Sequence, residues 1–198
     1  MAYKACEDAQ DLRDDSGCIG AGTGATVGKF LGPDYTMKSG LGCYAVQVGD
    51  LKLGAVVAVN ALGDIFHVET GEKLAGLLNN EKNGFGDTET EFYKTCGRMK
   101  NLFTGNTTIG AVITNGKFDK VQMKKIAAMA QNGYARTIRP VHTTADGDSI
   151  YGLSVGEVEA DLNVVGTLSS LVMARAVNKA VLSSHSMYGF LAAEDLKK

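Results

Sequence analysis

The sequence contains no tryptophan, only two prolines and only three histidines. With 25 glycines set against so little proline, it lacks the composition of a disordered or proline-rich linker. The glycines read instead as tight turns inside packed structure. His67, His142 and His185 stand far from one another and from Cys6, Cys18, Cys43 and Cys96, and no CxxC pair occurs. No zinc set is written here, and neither a metal nor any other cofactor is expected. Free thiols in a reducing, cytoplasmic compartment fit this cysteine usage best, although spacing alone leaves a disulfide open. No apolar run approaches the roughly 20 residues needed to span a bilayer, and the opening MAYKACEDAQ lacks the apolar core of a signal peptide. Charge of one sign is not concentrated either: 20 Lys and Arg face 22 Asp and Glu, for a formal net charge of -2. That mixture gives no nucleic-acid patch and no acidic tail, so neither nucleic acid nor membrane is an expected partner.

What is present suffices for one sizeable core, and the 198 residues read as a single domain, 1–198. Between Ala2 and Leu12, the positions of Tyr3, Ala5, Cys6, Ala9 and Leu12 predict an opening helix. A glycine-dense stretch, Gly17 to Gly32, precedes two apolar runs, Gly42 to Val48 and Leu53 to Asn60, which predict a hairpin around Gly49-Asp50. From Glu69 to Thr104 the sequence turns polar and irregular, and 69–106 reads as a linker. Thr107 to Thr114 (TTIGAVIT) predicts a buried strand. Asp119 to Arg136 predicts an amphipathic helix with Asp119 as N-cap; Val121, Met123, Ile126, Met129, Ala130 and Tyr134 form its apolar stripe, and Lys120, Lys124 and Lys125 its solvated face. Arg139-Pro140 closes that helix, a polar turn covers Thr143 to Asp148, a strand follows over Ser149 to Ser154, and a long helix spans about Leu162 to Ser183. Strands alternating with helices long enough to cover a sheet predict a layered α/β architecture.

Several motifs could carry chemistry. Gly20 to Ala25 matches GxGxxA, but Val27 to Tyr35 contains Gly28, Gly32 and Pro33 where a dinucleotide site needs a helix. A Walker A loop fails as well, because Phe30 stands where Ser or Thr would bind magnesium. The plainer reading of these glycines is a set of packed turns. Lys29 follows them and could project into a cleft, though most lysines are solvated. Asn60 and Asp64 emerge at a strand end, where sites collect in α/β sheets and where simple turns are equally common. Asn106-Thr107 joins the polar stretch to an apolar strand. A threonine hydroxyl is a weak nucleophile that needs a base, and an N-terminal threonine supplies its own amine, with a reference pKa of about 7.7 to 8.0. Asp146-Gly147-Asp148 offers two carboxylates that could receive or orient such an amine; it lacks the closing ligands of a calcium loop, and a surface Asp-Gly hairpin is its default. His142 could serve as a base, but with no serine or cysteine motif beside it a hydrogen-bonding role is the simpler reading.

Five stretches in order, GAGTGATVGK (20–29), SGLG (39–42), VNALGD (59–64), NTTIGAVITN (106–115) and ARTIRPVHTTADGD (135–148), together resemble the DmpA and nylon-oligomer-hydrolase family of self-processing N-terminal-nucleophile peptidases and amidases. The resemblance implies an αββα sandwich and a precursor cut between Asn106 and Thr107, with 69–106 as the processing linker. It implies Thr107 as nucleophile, Lys29 and Asn60 as the family's active-site lysine and asparagine, and Asp146 and Asp148 as the acidic pair that orients the nucleophile and its amine. The expected activity is hydrolysis of a peptide or small amide. An acyltransferase of the ornithine-acetyltransferase kind, or an inactive structural subunit, would share the fold. Family members carry a substantial segment upstream of GAGTGATVGK, including sheet strands. Its absence here implies a fold incomplete at the N-terminus, and predicts a homo-oligomer or a complementing N-terminal segment that covers exposed apolar surface.

Overall fold

A computed structural model describes residues 2–9, 15–96 and 105–196. After α1 (Ala2–Asp8) the chain forms β1 (Thr26–Val27), β2 (Met37–Lys38), β3 (Leu41–Val48), β4 (Leu51–Asn60), β5 (Asp64–Phe66), β6 (Lys73–Ala75), α2 (Thr88–Tyr93) and β7 (Thr107–Gly116). It continues through α3 (Lys120–Thr137), β8 (Ile138–Arg139), β9 (Ser149–Val158), α4 (Leu162–Leu182) and α5 (Ala193–Leu196). The predicted helix is seen as α1; Leu12, which was expected to continue it, lies outside the described residues.

The main sheet has the order β3-β4-β7-β9. The β3-β4 hairpin turns at Gly49-Asp50 as expected, with Val48 opposite Leu51 and Gly49 at φ 59°, a value that suits glycine in a two-residue turn. β7 lies antiparallel to β4 and parallel to β9, and α3 lies in the connection between those parallel strands. Both long helices begin on an aspartate. Asp119 accepts from the Gln122 N–H at 2.8 Å while Gln122 Oε1 accepts from the Asp119 N–H at 2.9 Å, a reciprocal box that satisfies two otherwise orphaned donors. Asp161 likewise accepts from the Asn163 and Val164 N–H groups.

α3 and α4 pack against each other and against one face of the sheet. Val57, Val112, Ile126, Tyr134, Val172, Met173 and Val177 are buried there, each large aliphatic side chain contributing roughly 1.5–3 kcal/mol. Alternation sends Ile109, Ile113, Tyr151, Leu153 and Val155 to the opposite face, where they remain exposed. Among the described residues, the main sheet thus has one face covered by a helical layer and the other left exposed. Val121, expected in the apolar stripe of α3, is 76% exposed because the helical turn points it away from the face on which Met123, Ile126, Ala130 and Tyr134 are buried.

The stretch from Glu69 holds more regular structure than its polar composition suggests. β6 joins β5 and β8 in a small second sheet of order β6-β5-β8, and Leu74, Leu77 and Leu78 are buried. Asp64 organises it: its buried carboxylate accepts from the Leu77 N–H at 2.7 Å, the Thr88 N–H at 2.9 Å, the Thr88 hydroxyl at 2.6 Å and Lys73 Nζ at 2.7 Å. With its oxygens so engaged, Asp64 is a structural hub. Residues 97–104 of the expected linker lie outside the described residues.

Candidate active site

Asn60 ends β4 and Thr107 begins β7, and the two are direct partners in the antiparallel ladder, so both side chains leave the sheet on the same, helix-free face. Lys29 reaches this point from the loop after β1. Its Nζ lies 2.5 Å from Asn60 Oδ1 and 3.2 Å from the Asn60 carbonyl. The same Oδ1 accepts from the Thr26 N–H at 3.2 Å. With two donors on its oxygen, the amide must present its N–H₂ group the other way, and Nδ2 donates to the Gly105 carbonyl at 2.9 Å. Burial pulls the Lys29 ammonium down from 10.5 to about 8, a shift that the charge of Asp146 opposes.

The peptide at Asn106-Thr107 is gripped from both sides. The Thr107 hydroxyl donates to the Asn106 carbonyl, and the Gly147 N–H donates to the same oxygen at 3.0 Å. Asn106 is buried and bridges Asp146 in parallel register. Gly147 passes so close that a Cβ there would lie 2.7 Å from the Thr107 hydroxyl; a side chain at this position would displace it.

The two aspartates engage the flanks of Thr107. Asp148 Oδ1 accepts from the Thr108 N–H at 2.9 Å, one residue past the hydroxyl, and Oδ2 lies 3.0 Å from His142 Nδ1. Asp146 accepts from the Thr143 hydroxyl at 2.7 Å and from the Leu62 N–H at 3.4 Å, pinning its loop to the chain beyond Asn60. All five side chains predicted from sequence therefore converge. Sequence reasoning did not assign site positions to Gly147, Thr143 and His142. The sequence marks the glycine by its place between the two aspartates and His142 as a hydrogen-bonding residue, whereas Thr143 acts through folding of the loop and leaves no such signal. A cleft of about 390 Å³ is lined by Lys29, Asn60, Gly105, Pro33, Thr36 and Phe190. Among the described residues, no cluster of three or more His, Cys, Asp or Glu could hold a metal ion, and no helix is long and apolar enough to cross a membrane.

An uncharacterized aminopeptidase of Mycobacterium leprae is 33% identical over 95% of this chain and 54% of its own length. The 6-aminohexanoate-oligomer endohydrolase of an Agromyces species is 28% identical over 83% of this chain and 50% of its own. The chain thus spans about half the length of these curated relatives. The fold matches the L-aminopeptidase D-Ala-esterase/amidase of Ochrobactrum anthropi, whose structure is described as a variant of the Ntn hydrolase fold, with a TM-score of 0.61 at 19% identity over 92% of this chain and 51% of that one. A Burkholderia β-aminopeptidase aligns with a TM-score of 0.56 at 15% identity over 91% of this chain and 52% of that one. The architecture is therefore the layered α/β sandwich of these aminopeptidases. The sequence matches peptidase family S58 over residues 1–194, and the chain belongs to that family.

Proposed function

We propose that this chain is the nucleophile-bearing part of a self-processing amidohydrolase, in which Thr107 first cuts its own N-terminal peptide bond and then hydrolyses a peptide or small amide. The observation that carries this reading is the Thr107 hydroxyl resting on the Asn106 carbonyl while the Gly147 N–H holds the same oxygen.

In the first step the hydroxyl oxygen bonds to the Asn106 carbonyl carbon and the C–N bond to Thr107 breaks. The hydroxyl proton ends on the released amine, and an ester remains. The Gly147 N–H favours the negative charge that develops on the carbonyl oxygen, a kind of donor whose loss typically costs about 10²- to 10³-fold. Water then opens the ester, leaving the Asn106 carboxylate and a free Thr107 amine. That amine titrates near neutrality and serves as base for its own hydroxyl. In the mature form, a substrate acyl group takes the place of Gly105-Asn106 beside Asn60 Nδ2 and Lys29; water again releases it after the amine has left.

The exposed apolar face beside Thr107 supports a second part of the proposal: activity requires that face to be covered, by a complementing upstream segment or by another copy of the chain. Intact-mass measurement tests the central claim. Wild type is expected to resolve into two masses that sum to the precursor plus one water and divide after Asn106, while Thr107→Ala stays whole. A Thr107→Ala chain that still divides there would refute the mechanism.

A further inference from the structure

The loop between β8 and β9 holds one group to which the proposed chemistry gives no task. His142 occupies left-handed backbone at φ 56°, a region that disfavours most side chains, that Gly enters freely and that Asn and His enter more readily than other residues. Such a conformation persists when surrounding contacts over-determine it, and here two contacts do. The His142 N–H and imidazole Nδ1 lie 3.2 Å and 3.0 Å from one atom, Asp148 Oδ2. The opposite oxygen, Oδ1, accepts from the Thr108 N–H at 2.9 Å. The Asp148 side chain is only 3% exposed, so bulk water is poorly placed to replace a lost donor. Behind the imidazole stands the buried Tyr134 ring, 6.1 Å away between centroids.

We infer that His142 is a positioning residue for the Thr107 reaction: as the Nδ1–H tautomer it clamps Asp148, which fixes the Thr108 N–H and with it the angle at which the Thr107 hydroxyl meets the Asn106 carbonyl. The inference rests on the Thr107 reading given above. The clamp works because the carboxylate is tied at both ends. With Nδ1–H on one oxygen and the Thr108 N–H on the other, rotation about the Cβ–Cγ bond breaks one or both contacts. Thr108 pairs with Val59 in the ladder, next to the Thr107-Asn60 pair. A rotated Asp148 therefore releases the strand where the nucleophile and the amide of Asn60 face each other. Because the carboxylate accepts, the proton must reside on Nδ1 rather than on Nε2 alone.

Four variants of the full chain separate this role from a merely structural one. His142→Asn puts an amide N–H₂ where Nδ1 was and tolerates left-handed backbone. His142→Gln moves the amide to the place of Nε2. His142→Gly relaxes the backbone but has no side-chain donor, and His142→Ala has neither advantage. The readout is the rate of cleavage between Asn106 and Thr107 by intact mass, with a thermal midpoint for each protein. His142→Asn is expected within about 3-fold of wild type, and the Gln, Gly and Ala variants slower by on the order of 10- to 100-fold, with the Gly midpoint at or above that of Ala. A His142→Gly chain that cleaves at the wild-type rate would overturn the clamp, since only the backbone conformation would then matter, and so would a His142→Asn chain as slow as Ala. Should His142→Ala not fold, the Asn and Gly pair still decides the matter. Nitrogen-15 NMR of the uncleavable Thr107→Ala chain is expected to find a protonated Nδ1 at neutral pH; a bare Nδ1 overturns the inference whatever the cleavage rates. Wild type that never divides refutes the Thr107 reading and this inference together, whereas a dividing wild type with a fast Gly variant refutes this inference alone.

Discussion

The two faces of the main sheet are built from the same strands and have opposite fates. On β7, Val112 points at α4 and is fully buried, while Ile109 on the other side is 51% exposed; on β9, Val155 is 65% exposed. Strands that face water on one side normally alternate apolar with polar residues, whereas strands covered on both sides are apolar throughout. β7 and the outer half of β9 follow the second pattern. The helix-covered face accounts for the stability of the chain, and the bare face carries Thr107, Asn60 and the proposed chemistry. The proposed site therefore lies on the face that the helices leave uncovered.

One amino-acid change made on each face gives the sharpest contrast and the largest expected effect. Gly42 on β3 lies under α4, and a Cβ there would fall 1.9 Å from the Ala176 carbonyl oxygen and 2.7 Å from the Ala180 nitrogen. Both are helix backbone and cannot step aside without moving α4. Gly54 on β4 points outward, and its Cβ would meet only Ala45 Cβ at 3.7 Å and the Tyr44 carbonyl oxygen at 3.8 Å. Gly42→Ala is expected to destabilise by about 3 kcal/mol or more, and Gly54→Ala to stabilise by about 0.5–1 kcal/mol, the usual penalty of glycine within a strand. Urea denaturation of the two variants beside wild type measures both. Equal effects would mean that the faces do not differ as described.

A smaller effect asks whether the site is maintained at the expense of stability. In the unfolded chain Lys29 titrates at its ordinary 10.5, and in the folded chain near 8. Between those values the unfolded state binds the extra proton, so stability rises with pH across about 8 to 10.5, and below 8 the penalty of burying the ammonium is felt in full. Lys29→Met removes that penalty. The variant is expected to exceed wild type in stability at pH 7 by about 1–2 kcal/mol after allowance for solvent screening. Its advantage should shrink as the pH approaches 10.5, and cleavage after Asn106 should be lost with the contact to Asn60. Urea midpoints at pH 7 and pH 10 check the sign. A variant less stable than wild type at pH 7 would show that the contact to Asn60 outweighs the cost of burial.

The sequence foreshadowed the covered face better than the bare one. Hydrophobic period and capping residues located α3, α4 and the β3-β4 hairpin because those signals are local: Asp119 with Gln122 three residues on, or Gly49-Asp50 between two apolar runs. The small second sheet escaped notice because β5, β6 and β8 have only two or three residues each and are held by one buried carboxylate, Asp64, whose partners lie 9 to 24 positions away. The five predicted site residues came from ordered motifs that resemble a family, and no local rule placed Lys29 beside Asn60. His142 was legible only as a hydrogen-bonding residue and Gly147 only as the glycine between two aspartates, because a left-handed loop and the partner of a backbone N–H are set by folding rather than by residue identity alone.

The smallest expected change in stability belongs to the bare face itself. Ile113 lies on β7 one residue beyond Val112 and points the other way, 38% exposed. If its neighbours on that side contribute little within this chain, Ile113→Lys costs less than about 0.5 kcal/mol, as surface substitutions usually do. The same lysine must be desolvated if another sheet packs there, and a buried unpaired ammonium costs several kcal/mol. The prediction is therefore a split result: a urea midpoint close to that of wild type in dilute protein, together with a lower mass by light scattering, or weaker capture of a complementing segment, at high concentration. A large loss of stability in the dilute monomer would show that the chain already covers this face with its own residues, and the contrast between the two sides of the sheet would disappear.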